Sequence, residues 1–450
     1  MARFKQAGPS VLIVAMIAGV LGYVIGCTQQ QREQDSQAQA QEKTKDKAPS
    51  DGDQKAVQPK GGGQPKAAAP QAPSPVGVTN PRGVYYPATE KLAPDEMRII
   101  SLGTGMPNPR PSQKATCWLV ELGNGDKFLF DIGTGAAENI AALQIPYDYL
   151  DKVFLSHLHT DHFGDFGALY VGGLINGRTV PLRIWGPSGS KEEWGTKYAI
   201  EHMRKALSWD VAGRAGRLPA SGQQLEIHEF DYKGENQIVF QENGVTIRSW
   251  PAIHVIDGPV SYSLEWNGLK FVFGGDTYPN TWFPKYALDA DVIIHECFIT
   301  VPDLVEKMNF PVARALNVGT QIHTAPPAFG KVMSVCKPRM AIAYHFFNDF
   351  DTVPKILEGI KQTYDGPLTL ADDMMVWNVT KDEIRVRDIV YNEDVWSPPL
   401  ARKVPVDRSI MLNVSKEMEA GAMDMGDIIK SIYERANKMY GTDEKPDISK

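Results

Sequence analysis

Apolar positions along this chain change character several times. Residues 11–26 form an almost unbroken apolar run behind Arg3 and Lys5. From residue 28 to about 92 large aliphatic and aromatic side chains are nearly absent until Tyr85 and Tyr86. From Met97 onward, short apolar runs alternate with turn residues. Residues 98–102 predict a strand running into the turn Gly103-Thr104-Gly105, and 117–122 with 127–130 predict a hairpin around Gly123-Asn124-Gly125-Asp126. Further strands are predicted at 152–155, 182–185, 245–250, 261–266, 270–273, 292–294, 341–344 and 382–390. Helices are predicted at 136–143, 166–175, 191–207 and 325–336. Strand hairpins with helices added outside imply an α/β domain of two packed sheets with flanking helices. Near the end, Met425, Ile428, Ile429, Ile432 and Tyr433 fall at helical spacing within 417–440, which predicts an amphipathic helix packing on the domain or on a partner.

These patterns divide the chain into 1–27, 28–92, 93–390 and 391–450. The first segment has the positive start and apolar middle of an export signal. Its run is slightly short of the ~20 residues a membrane-spanning helix needs. It ends in Val24-Ile25-Gly26-Cys27, which resembles a bacterial lipobox with Ile25 where a small residue is usual. A lipid-anchored signal peptide and an uncleaved helical anchor are the two expectations. Both put the following domain on the periplasmic side of a bacterial cell envelope, because positive charge stays inside. Residues 28–92, rich in Gln, Lys, Ala, Pro and Gly, cannot bury enough apolar surface to offset ordering entropy and are expected to be a disordered tether. Composition adds little to this: 42% hydrophobic and 22% charged residues are ordinary for a globular protein. The net charge of −7 speaks against a general nucleic-acid binder. The four cysteines are too scattered for a disulfide framework.

The histidines carry the chemistry. Of nine in the chain, three lie in the run His157-Leu158-His159-Thr160-Asp161-His162, just after the strand predicted at 152–155. In a loop leaving a strand, alternate side chains can converge on a point. Neutral imidazole and carboxylate are the ligands that borderline cations such as zinc prefer. His254 and His345, each taken alone, would read as ordinary structural histidines.

The His-x-His-x-Asp-His run resembles the signature of the metallo-β-lactamase superfamily, and the other motifs follow in order. Asp131 precedes Gly133-Thr134-Gly135, His254 closes Pro251-Ala252-Ile253-His254, Asp276 lies in Gly274-Gly275-Asp276-Thr277, and His345 lies in Ala343-Tyr344-His345-Phe346. The resemblance implies an αββα sandwich, with two mixed sheets face to face and outer helices. It also implies a dinuclear centre: His157, His159 and His254 on one metal, Asp161, His162 and His345 on the other, Asp276 bridging, and Asp131 orienting a ligand histidine. Two Zn2+ per chain would supply a metal-bound hydroxide, with manganese or iron as alternatives and Asp161 taking part in catalysis.

Asp276 disfavours the β-lactamase subclass that uses a cysteine at this position. The segments Asp291-Val292-Ile293-Ile294-His295-Glu296-Cys297-Phe298 and Gln321-Ile322-His323-Thr324-Ala325 resemble the two histidine motifs of the ribonuclease Z and arylsulfatase-like branch. That implies His323 and His295 as candidates to protonate a leaving oxygen, or to order the loops around the metals. The function implied is hydrolysis of a small ester, a phosphodiester or sulfate ester. The alternatives are a lactone or amide hydrolase, β-lactams included, and a non-catalytic metal-binding lipoprotein. The long Gly/Pro-rich arm with which ribonuclease Z grips tRNA has no counterpart between His162 and His254, so nucleic acid is not an expected partner. The expected partners are the small ester and, through the N-terminus, the membrane. A homodimer is left open.

Overall fold

The computed structural model describes residues 83–398 and 407–446 of the chain. The expected export signal and residues 28–82 of the expected tether lie outside the described residues. Among the described residues no helix is long and apolar enough to cross a membrane.

Strands β1 (Val84–Tyr85), β2 (Met97–Gly103), β3 (Cys117–Leu122), β4 (Lys127–Phe130), β5 (Lys152–Phe154), β6 (Leu182–Pro187) and β7 (Leu225–Phe230) form one sheet. They are joined there by two strands from late in the sequence. Strands β8 (Gln237–Glu242), β9 (Val245–Pro251), β10 (Val260–Trp266), β11 (Leu269–Phe273), β12 (Val292–Glu296), β13 (Met340–Tyr344) and β14 (Leu368–Leu370) form the other. The late strands β15 (Met375–Val379) and β16 (Ile384–Ile389) return to the first sheet, whose order is β1-β16-β15-β2-β3-β4-β5-β6-β7. Both sheets are mixed. β2 to β4 and β8 to β11 pair antiparallel, whereas β4 to β7 and β11 to β14 pair parallel.

The inner faces meet in an aromatic core. The Phe130 ring lies 5.5 Å from Phe154 and 5.0 Å from Phe271, and Trp118 lies 5.7 Å from Tyr344. Such pairs contribute about 0.5–1.5 kcal/mol each beyond the area they bury. Outside the first sheet, the helices Ala136–Ala142 and Phe166–Ile175 cover Leu119, Leu129 and Val153. Outside the second, Pro326–Cys336 and Val353–Lys361 cover Ile293, Ala341 and Ala343. The four layers are the expected αββα sandwich.

The tether was expected to reach residue 92, but the fold begins earlier. Val84 and Tyr85 pair parallel with Asp388 and Ile389. Tyr85 is buried under the guanidinium of Arg98, 4.6 Å from its ring. The buried ring of Tyr85 docks this edge strand after the polar stretch. At the other end, the helix Gly426–Tyr440 has no buried residue, and Ile428 and Ile432 are 54% and 56% exposed. The expected packing of this helix on the domain is therefore not seen.

Candidate metal centre

The strands running parallel deliver their carboxyl ends to one edge of the sandwich, where ligand sites form in α/β sheets. Asp131 follows β4, His157 follows β5, Asp276 follows β11, Glu296 ends β12 and His345 follows β13. His254 follows the antiparallel β9. His159 precedes the short helix Thr160–Phe163, which carries Asp161 and His162. Only glycine fits at 133, because a Cβ there would run into the carbonyl of Asp161.

Asp131 is the hub that aims two histidines. Its fully buried carboxylate accepts from Ser156 N and Ser156 Oγ, each at 2.7 Å, and from His162 Nδ1 at 2.6 Å. Ser156 Oγ has spent its proton on Asp131, so it accepts from His157 Nδ1, 3.0 Å away. Both imidazoles therefore carry their proton on Nδ1 and present a bare Nε2. Burial pushes Asp131 up, against the pull of His162 and Ser156.

Among the described residues the side chains brought together form three groups that share Asp276, with ligand atoms within 4.8 Å of one another in each: His157, His159, His254 and Asp276; Asp161, His162, His345 and Asp276; and Glu296, His323, His345 and Asp276. The approaches are 3.3 Å for His159 Nδ1 to His254 Nε2, 3.2 Å for His162 Nε2 to Asp276 Oδ1 and 3.1 Å for His345 Nε2 to Asp276 Oδ2. Ligand atoms held at ~2.0–2.1 Å by a tetrahedral ion stand roughly 3.3 Å apart, so these separations suit shared cations. His157 Nε2, His162 Nε2, His345 Nε2, Asp161 Oδ2 and Asp276 Oδ1 are all buried without a hydrogen-bond partner. Buried polar atoms are rarely left so, and cations held there would account for them. Electrostatics agrees at Asp276 and His157, whereas at His162 burial pushes down but Asp276, Asp161 and Asp131 outweigh it and raise the imidazole well above its usual value. Burial pushes Asp276 up, but His162 and His345 outweigh it and hold the carboxylate well below its usual range. Burial drives His157 well down, toward the neutral form that binds metal.

Residues 113–288 match the family model described as the Metallo-beta-lactamase superfamily. The chain is 30% identical over 215 residues to a Ribonuclease Z of Mycobacterium sp. (strain KMS), covering 47% of this chain and 71% of that protein. The chain belongs to the metallo-β-lactamase superfamily, in its ribonuclease Z-like branch. A Ribonuclease Z of Mycobacterium marinum is 28% identical over 228 residues, covering 49% of this chain and 76% of the relative. Among solved structures, the metallo-β-lactamase fold protein YhfI from Bacillus subtilis matches at 19% identity and a TM-score of 0.48, covering 63% of this chain and 100% of that one. Membership makes the protein a metallo-β-lactamase-fold hydrolase acting on ester bonds.

Within this superfamily member, the two branch histidines part company. Glu296 and His295 are neighbours on β12, so alternation sends their side chains to opposite faces. Glu296 faces the metal cluster. His295 turns into the helical layer between Phe283 and Phe329, its Nδ1 bonded to the Glu296 carbonyl at 2.7 Å. His295 is thus not brought into the site. His323 is: it stacks on Phe298 at 4.0 Å and its Nδ1 lies 2.7 Å from Glu296 Oε2. That distance is a hydrogen bond and is shorter than two ligands of one ion would stand. Burial pushes Glu296 well up and His323 well down, so both favour their uncharged forms. Glu296 was missed among the candidate residues, although period-2 alternation on a buried strand implies that only one residue of a His-Glu pair can face the site.

Proposed function

We propose that the protein is a two-zinc hydrolase of a small phosphodiester or sulfate ester, anchored in a bacterial envelope with its catalytic domain on the periplasmic side. The observation that carries the chemistry is the convergence of His157, His159, Asp161, His162, His254, Asp276 and His345, with buried ligand atoms of His157, Asp161, His162, Asp276 and His345 unpartnered. Bound there, two cations supply Lewis acidity and a water that ionises near neutral pH. Asp276 reaches the first two groups and offsets part of their charge, while Asp161 lines the second. With Glu296 protonated and donating to His323 Nδ1, His323 carries its proton on Nε2 and can pass it to the departing oxygen while Nδ1 takes the Glu296 proton, which leaves a neutral imidazole and a carboxylate. The anchoring rests on the run 11–26 and Cys27. Similarity to Ribonuclease Z favours a second reading, an RNA phosphodiester as substrate.

The test pairs elemental analysis of the purified chain with a panel of bis-aryl phosphodiester, aryl sulfate, lactone, cephalosporin and short single-stranded RNA. Two zinc ions per chain with turnover of the phosphodiester or sulfate supports the proposal. Cleavage of RNA alone selects the second reading, lactone or cephalosporin alone selects a different ester or amide class, and two metals without turnover leave a metal-binding role. Cell fractionation checks the anchor: Cys27→Ser should prevent lipidation, and unchanged membrane retention with no lipid on the native Cys27 would identify a helical anchor instead.

A further inference from the structure

A cavity of about 300 Å³ opens beside the first ligand group, and His157, His159 and His254 form its floor. Its walls are apolar: Leu158 and Phe163 from the motif loop, Trp194 from the segment after β6, and Val255 and Ile256 from the loop after His254. Trp194, Val255 and Ile256 are 40%, 53% and 54% exposed. Large apolar side chains clustered in water beside reactive groups mark a binding surface. The wall is held in shape. The backbone of Trp194 packs so closely on Gly189 that a Cβ there would collide with it, and Lys191 Nζ lies 4.2 Å from the indole centroid.

Charge narrows the ligand. Glu193 and Asp257 are the charged lining residues, and no lysine or arginine is among the described residues that line the cavity. A second phosphate or a polyanionic strand would meet two carboxylates in the lining, with Lys191 beside the Trp194 ring as counter-charge at the wall. Size narrows it further. A cavity of ~150 Å³ admits benzene, so this one has room for a substituted ring or a branched alkyl group.

We infer that this cavity is a specificity pocket for one uncharged apolar group, aryl or branched alkyl, carried by a substrate whose single anionic centre sits at the metal cluster. The inference rests on the hydrolase reading above and deepens it to a substrate class.

The test measures binding of phenylphosphonate and methylphosphonate to the zinc-loaded full chain by calorimetry, next to hydrolysis of bis(4-nitrophenyl) phosphate. Phenylphosphonate should bind about tenfold or more tightly, from the apolar area the ring buries. Trp194→Ala and, separately, Ile256→Ser should collapse that ratio toward one and raise KM for the diester while zinc content stays at the wild-type level. Equal affinities in the wild type, or a ratio that survives both substitutions, would overturn the pocket. If no ester is cleaved but the ring preference and its loss in the variants remain, the hydrolase reading fails and the pocket stands. If diesters are cleaved without any preference, the reverse holds.

Discussion

Asp131→Asn isolates the hydrogen-bond hub under the metal centre. The carboxylate accepts from Ser156 N, Ser156 Oγ and His162 Nδ1 at 2.6–2.7 Å. An amide preserves the shape but turns one acceptor into a donor. With its nitrogen at the Oδ1 position it faces the Ser156 N–H, leaving buried donors opposed at a cost of about 1–3 kcal/mol. With its nitrogen at the Oδ2 position it faces His162 Nδ1, and the ring must move its proton to Nε2, the atom aimed at Asp276. The second outcome degrades a ligand directly and passes through Ser156 Oγ to His157, whereas the first leaves the Oδ2 acceptor intact and displaces the Ser156 backbone that precedes His157. Loss of such a supporting group weakens metal affinity about 10–100-fold, or roughly 1.4–2.7 kcal/mol. Zinc affinity is measured by chelator competition, with circular dichroism to confirm folding. A folded variant that binds zinc as tightly as wild type would refute the idea that Asp131 sets the ligand tautomers.

His159→Ala removes the nitrogen that faces His254 and should strongly reduce both metal content and hydrolysis; two metals retained per chain would show the ligand assignment to be wrong. Glu296→Gln should keep the metals but slow ester cleavage about 10²–10⁴-fold, most for poor leaving groups. Equal slowing across a leaving-group series would assign Glu296 and His323 a structural role. Asp373 is pushed up to about 6 by burial, despite accepting from Thr104 N at 2.9 Å and Lys114 N at 2.6 Å. Its folded pKa lies above the unfolded one, so the folded state holds the proton more tightly. This group's penalty is absent below about pH 4, grows as pH rises to about 6 and then levels at roughly 3 kcal/mol. Denaturation midpoints between those limits should show this term in wild type and not in Asp373→Asn; parallel pH profiles would contradict it.

Much of this architecture was legible because periodicity and chemistry agreed. Continuous apolar runs such as those of β2, β5 and β12 are buried on both faces and stand out in a sequence. The histidine run announced a ligand cluster because so few histidines occur elsewhere. Strands β7, β8 and β14 were not anticipated. They sit at sheet edges, and β7 places Glu226, His228 and Glu229 among half-buried residues, so its alternation carries little apolar signal. Strand β15, in the interior of the first sheet, was also not anticipated, although four of its five residues are buried. The cavity beside the first ligand group was equally hidden, since Phe163, Trp194 and Ile256 come from separate segments that only the fold brings together.

Backbone conformation at the centre was the other hidden quantity, and it explains how the loops hold their aim. Asp131 and His345 both adopt positive φ, 59° and 75°, where a non-glycine residue is rare. Such a conformation costs about 1–3 kcal/mol and persists only where its surroundings over-determine it. They do so here. His345 N donates to Thr104 O at 2.9 Å, and Asp131 N donates to Phe154 O at 2.9 Å while its side chain holds Ser156 and His162. Each residue follows the last position of a parallel strand, so the positive φ turns the chain sharply and places the side chain at the cluster instead of extending the strand. The strain is thus the means by which straight strands deliver ligands to a point. Relieving it at His345 without its imidazole, as in His345→Gly, should leave a folded domain that has lost one side of its second ligand group.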